Sequence, residues 1–170
     1  AMLFGGAFDN TFVPELFRAQ FDKPLQEGQI VILEILGICK GFWIDINRTA
    51  VIGQPTPAYS AMHDVIRDAF LTMAEQMKPG NSTGDLAAIG YEYVKRHGVS
   101  APEKLLIIAH GIGHMPLELP FPFPSLGLSG SKGFEIEENM VIEFEPHPAT
   151  ADLSRAASVG GPILVTADGC

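Results

Sequence analysis

"IVILEILGICKGFWIDINRTAVI", residues 30–52, places two apolar runs on either side of Lys40-Gly41. Both runs are rich in β-branched and aromatic residues, and a two-residue linker ending in glycine suits a tight hairpin. The spacing predicts strands over 30–38 and 42–52. The first is almost wholly apolar, as expected of a strand covered on both faces. Glu34 in its middle is therefore out of place, and Asp45 stands eleven residues later across the turn.

Helical periodicity follows. Thr56 is a good N-cap, and Pro57 fits the first helical position. Met62, Val65, Ile66, Ala69, Phe70, Met73 and Met77 then recur at helical spacing up to a stop at Lys78-Pro79-Gly80. The methionines read as core filler. Ser82 with Asp85 opens a second helix in the manner of a capping box. Leu86, Ile89, Tyr93 and Val94 line its apolar face, and Gly98 ends it. Three more strands are expected over 104–109, 140–146 and 162–166. Two strands, two helices and three strands in that order argue for an α+β fold rather than an alternating α/β one. All 170 residues are expected to form a single domain.

With 46% apolar and 18% charged residues, the chain has the composition of a folded domain. A net charge of −9 without a basic stripe excludes the usual electrostatic footprint of a nucleic-acid partner. The apolar stretches are too short and too interrupted to span a bilayer. "AMLFGGAFDN" has neither the basic start nor the long apolar run of a signal peptide. Cys39 and Cys170 make no disulfide framework. These features lead to the expectation of a soluble, cytoplasmic protein.

Chemistry is expected where polar groups interrupt apolar patterns. Glu34 and Asp45 are two such positions. Glu143 and Glu145 in "VIEFEP" lie two apart, on one face of a strand. His110 follows a strand, in "IAHGIGHMPLELPFPFP" (108–124), with His114 in the same glycine-punctuated loop. A buried carboxylate is costly unless a cation or a proton neutralises it. Carboxylates with one imidazole suit Mn, Fe, Co or Zn. The plainer alternative pairs Glu34 and Asp45 with Arg48 or a lysine and leaves Glu143 facing solvent. His63 and His97 read as surface or helix-end residues, and His147 is open to either reading.

The segments "LQEGQIVILEILGICKGFWIDINRTAVIGQPTP", "MKPGNSTGDL", "AHGIGHMPLELP", "ENMVIEFEP" and "ILVTADGC" resemble, in order, the pita-bread metallopeptidase superfamily. That group holds methionine aminopeptidases, prolidases (Xaa-Pro dipeptidases), aminopeptidase P and creatinase. The resemblance implies a curved antiparallel sheet with flanking helices. It also implies a domain longer than this chain, whose opening helices are expected to be missing here. Its active members hold a pair of metal ions on two Asp, one His and two Glu. Carried over, the resemblance assigns Glu34, Asp45, His110 and Glu145 as metal ligands, with Glu34 in place of the first Asp. His110, His114 and Glu145 become the catalytic candidates.

Several positions depart from the pattern. The second ligand Glu should stand six residues before Thr166, where this chain has Gly160. The peptidases' further His falls on Leu117, and residues 1–33 contain none of the His expected before the first strand. The implied activity is metal-assisted hydrolysis of a small peptide. The departures leave open a single ion or none, another chemistry on a small molecule (creatinase-like hydrolysis or a metal-dependent lyase), and a non-catalytic binding relative. "AHGIGH" then reads as the active-site loop, Phe121 and Phe123 as an apolar wall, and a homodimer as one assembly to expect.

Overall fold

The computed structural model describes residues 2–8, 24–98, 106–118, 133–147 and 157–170. Phe121 and Phe123 lie outside the described residues. Strands β1 (Met2–Phe8), β2 (Ile30–Cys39) and β3 (Phe42–Val51) are followed by helices α1 (Pro57–Ala74) and α2 (Thr83–Arg96). Strands β4 (Leu106–Gly111), β5 (Val141–His147) and β6 (Gly161–Leu164) complete the order. The expected α+β architecture is observed.

The β2–β3 hairpin turns where the sequence placed it. Lys40 (φ 52°) and Gly41 (φ 87°) both adopt left-handed conformations, as a two-residue hairpin loop requires. Cys39 and Phe42 close the turn, and this register sets Leu36 opposite Asp45 and Glu34 opposite Asn47. β1 adds to the far side of β2, with Phe4 opposite Glu34. This strand is not anticipated by its sequence, because "MLFGGAF" carries two glycines, which weaken strand signals.

Both helices start at the expected caps. The Thr56 hydroxyl accepts from the Tyr59 amide at 3.2 Å. Ser82 and Asp85 exchange side-chain bonds with each other's backbone amides, completing the capping box. α1 ends at Ala74, four residues before the expected stop. Short-range bonds continue the chain as turns, Gln76 N–H to the Met73 carbonyl and Met77 N–H to the Ala74 carbonyl. Met77 is still fully buried, so its place in the apolar pattern reflects packing rather than helix.

Strands β4, β5 and β6 form a second antiparallel sheet. The helices cover one face of it. Ala69, Met73, Met77, Leu86 and Val94 pack there against Ala109, Ile142, Phe144 and Val165. The two sheets are stitched between β3 and the residues leading into β6. Asn47 and Gly160 exchange backbone hydrogen bonds of 3.2 and 3.1 Å. Thr49 Oγ1 donates to the Ser158 carbonyl at 2.9 Å and accepts from its amide at 2.7 Å.

Candidate metal centre

Strand alternation decides which side chains reach the site. On β5, Ile142 and Phe144 turn into the helix-covered core, so Glu143 and Glu145 take the opposite face. His110 on β4 lies directly across from Glu143 in the register and shares that face. On β3, Asp45 and Asn47 are buried, Ile46 between them is half-buried, and Ile44 and Arg48 on either side are exposed. Stitching at Asn47–Gly160 therefore folds the Asp45 face over the Glu145 face.

The result is a cluster. One ligand atom each from Asp45, His110 and Glu145 lies within 4.8 Å of the others, and all three residues are buried. His110 Nε2 stands 3.8 Å from Glu145 Oε1. Its Nδ1 lies 2.9 Å from the Gly111 carbonyl and donates to it, which selects the tautomer that presents Nε2 to the cluster. Burial alone would depress the imidazole pKa. The hydrogen bonds to Glu145 and Gly111, with the charges of Glu145 and Asp45, outweigh it and raise the pKa.

Two further carboxyls feel the same field. Burial, then the Glu145 and Asp45 charges, push Glu34 up to about 8, with His110 opposing. Glu143 is fully buried. Burial, then Glu145, Asp45 and Glu34, push it up to about 11, while Arg48 pulls the other way. Neither Glu143 oxygen finds a hydrogen-bond partner among the described residues, and the same holds for both amide atoms of Asn47. Several carboxyls crowded around one imidazole lack positive charge, and a divalent cation supplies what such a donor set needs. The residues present therefore fit a metal.

The reading of Glu143 as solvent-facing does not hold: Glu143 is fully buried, on the face of its sheet over which the β3 side of the first sheet folds. Nor does Arg48 settle into the cluster: its Nη1 donates to the Asn47 and Gly160 carbonyls at 2.7 Å each. Glu143 and Asn47 are the buried site residues that the ligand assignment from sequence passed over. For Glu143 the signal was present, since two-residue spacing placed it beside Glu145.

His114 stands apart from the triad. It is exposed and stacks on Phe42 with ring centroids 4.6 Å apart, and its Nδ1 lies 3.3 Å from the Gly41 carbonyl. The glycine loop is thereby docked on the hairpin tip, where the Trp43 amide also donates to the Gly113 carbonyl at 2.7 Å. Leu117 is exposed. His97 ends α2 and stacks on Tyr93, and His147 closes β5 opposite Leu106. Gly160 has no room for a side chain: a Cβ there would sit 2.8 Å from the Phe144 carbonyl oxygen and 3.1 Å from Glu145 Cγ.

Residues 9–167 match the sequence signature of metallopeptidase family M24. The chain belongs to that family. Among relatives it is similar to methionine aminopeptidase A of Synechocystis sp., at 29% identity over 124 residues, covering 73% of this chain and 47% of that protein. It is similar also to the Xaa-Pro dipeptidase of Pyrococcus furiosus, at 25% identity over 148 residues, covering 87% and 40% respectively. The solved prolidase from Pyrococcus furiosus superposes with a TM-score of 0.81 at 22% identity, over 98% of this chain and 47% of the prolidase. The fold is thus the pita-bread fold of the M24 peptidases. The chain spans less than half the length of the curated relatives described here. Among the described residues, no helix is long and apolar enough to cross a membrane.

Proposed function

We propose that this M24 chain carries the metal-holding core of a hydrolase acting on small peptides. The observation that supports it is the convergence of Asp45, His110 and Glu145 from three strands into one buried cluster. Asp45 Oδ, His110 Nε2 and Glu145 Oε would hold a divalent ion, with Glu34 at its edge. An ion bound there would act as a Lewis acid on a scissile carbonyl.

The remaining roles fall to the chain itself. The Gly111 carbonyl fixes the His110 tautomer. Glu145 and Asp45 hold the imidazole in place and set its basicity. On the face that carries Asp45, Leu36 stands opposite it, and Ile38 stands opposite Trp43 at the hairpin end. This apolar strip would seat an apolar side chain of the substrate beside the ion. His114, at the same end, would meet the substrate's exposed terminus rather than the ion.

A second reading has an observation in its favour. Gly160 and Leu117 occupy the positions at which the resemblance expects a ligand Glu and a further His, and Gly160 is too tightly packed to be replaced. This favours hydrolysis or lysis of a small molecule other than a peptide, or a binding role.

Elemental analysis of protein purified without chelators tests the reading. One or more equivalents of Mn, Fe, Co or Zn per chain, lost in Asp45→Asn, are expected. Hydrolysis of Xaa-Pro or Met-Xaa dipeptides by the loaded protein would then separate the peptidase from the second reading. Absence of metal after incubation with all four ions would refute the metal site.

A further inference from the structure

The hairpin tip and the glycine loop form one braced unit beside the cluster. The Trp43 amide donates to the Gly113 carbonyl at 2.7 Å. His114 stacks on Phe42, with its Nδ1 3.3 Å from the Gly41 carbonyl. Glu118 fixes the loop from within: its Oε1 accepts from the Met115 amide at 2.8 Å, and its own amide donates to the Gly111 carbonyl at 2.9 Å. Although held by these bonds, the unit presents an apolar surface to solvent. Ile38, Phe42 and Met115 are each more than half exposed. Large apolar side chains gathered on a braced, open surface mark a place where another molecule docks.

Position and charge identify the occupant. The patch continues the strip of Leu36, Ile38 and Trp43 that leads from Asp45 to the tip. Gly41 stands roughly 13 Å from Asp45 along the strand. An extended peptide advances about 3.3–3.6 Å per residue, so a short peptide lying on the strip from the cluster ends at the tip. Lys40 occupies the turn itself, exposed and with a left-handed φ of 52°. In a chain of net charge −9, the apolar strip thus ends at an ammonium group. The carboxylate of the loop does not occupy it: Glu118 is turned to the Met115 amide and lies against Gly113. An apolar surface that ends in a cation matches the last residue of a peptide, with its side chain and free carboxylate.

We propose that the hairpin tip docks the free carboxyl terminus of a short peptide, with Lys40 pairing the carboxylate and Ile38, Met115 and the Phe42–His114 stack seating the terminal side chain. The inference rests on the peptide reading above and adds a direction to it: the substrate runs from the cluster toward the tip with its carboxyl end leading. A second copy is a poorer occupant, since two such tips packed on each other would bring two Lys40 ammonium groups to one apolar interface.

The test is calorimetric binding to chelator-treated protein, in which the probe is not cleaved, with fluorescence of Trp43, the single tryptophan, reporting from the tip. The probes are Ala-Ala-Ala-Leu and its C-terminal amide. The wild type is expected to bind the acid about tenfold more tightly than the amide, as a charge-assisted contact implies, with a change in Trp43 emission. Lys40→Asn is expected to lose that preference and Lys40→Arg to keep it. Asn-Gly is a favoured hairpin turn, so the asparagine variant keeps the fold. Equal affinity for acid and amide, no binding of either, or a preference that survives in Lys40→Asn overturns this inference and leaves the metal site standing. A dimer in sedimentation that Met115→Ser converts to a monomer also overturns it, giving the patch to a second copy. Failure of the peptidase reading shows separately, in the metal content and in turnover, neither of which this titration uses.

Discussion

Gly160→Ala should destabilise the protein although it adds a single methyl group. The added Cβ would meet the Phe144 carbonyl oxygen at 2.8 Å and Glu145 at 3.1 and 3.2 Å. Two of those contacts are with backbone atoms, which cannot swing aside as a flexible side chain can. Relief would come by lengthening the paired Asn47–Gly160 bonds of 3.2 and 3.1 Å, or the 2.7 Å bond from Arg48 to the Gly160 carbonyl. Overpacking of this kind costs about 1–3 kcal/mol, and a weakened hydrogen bond adds about 1 kcal/mol. Against that, alanine restricts the unfolded chain and returns roughly 0.4–1 kcal/mol. The net loss is about 1–3 kcal/mol, and at about 2–4 °C per kcal/mol for a domain of this size Tm should fall by about 2–12 °C. Differential scanning calorimetry on metal-free protein reads this directly. A variant that melts at or above the wild-type temperature would mean that the strand junction is looser than described, and that Gly160 is not held closed by its neighbours. Gly160→Glu, which restores the expected residue type, should cost still more and add no metal.

Stability should fall with rising pH in the metal-free protein. Glu34 and Glu143 are raised from an ordinary 4.5 to about 8 and about 11, so the native state keeps their protons where the unfolded chain has lost them. Their contribution is complete below pH 4.5 and declines as pH climbs toward 8 for Glu34 and toward 11 for Glu143. Urea midpoints should accordingly drop between pH 5 and pH 8, more gently in Glu143→Gln, and a flat profile in the wild type would contradict the burial of these carboxyls. Ser82→Ala removes the hydroxyl that accepts from the Asp85 amide, one half of the capping box, and should lower the unfolding free energy by about 1 kcal/mol in urea titrations; no change would place the α2 start elsewhere.

The parts of the fold legible in the sequence are those set by neighbouring residues. Lys40-Gly41, Thr56-Pro57 and Ser82 with Asp85 each mark an element boundary by local chemistry, and the structure places all three there. Asp45, His110 and Glu145 were assigned as ligands through family resemblance, and the structure brings them together. Harder to read was whatever depended on what covers a face. The alternation in "VIEFEP" groups Glu143 with Glu145, yet it does not say whether that face meets water or a second sheet. The answer comes from the Asn47–Gly160 junction, which joins residues far apart in the chain and has no local signature. β1 escaped notice for a related reason, since a glycine-rich strand is stabilised by the partner it pairs with rather than by its own residues.

The charge balance of the cluster bears on the choice among functions. Glu34, Asp45, Glu143 and Glu145 share one field, with the His110 imidazole inside it and the Arg48 Nη1 engaged by carbonyls. Buried ionic groups add little to stability and are often replaced by apolar ones without loss. A relative that kept this fold only to bind another molecule elsewhere on its surface would gain by filling the space between the sheets with leucine and valine. This chain instead retains carboxyls and an imidazole there, at positions supplied by four different strands. In the absence of a cation the cluster holds protons on Glu143 and Glu34, which costs the protein stability at neutral pH. A divalent ion would displace those protons and remove the cost. A cation is what the proposed function places in this polar interior, and under that proposal the chemistry of the chain is to be sought where the cation would sit.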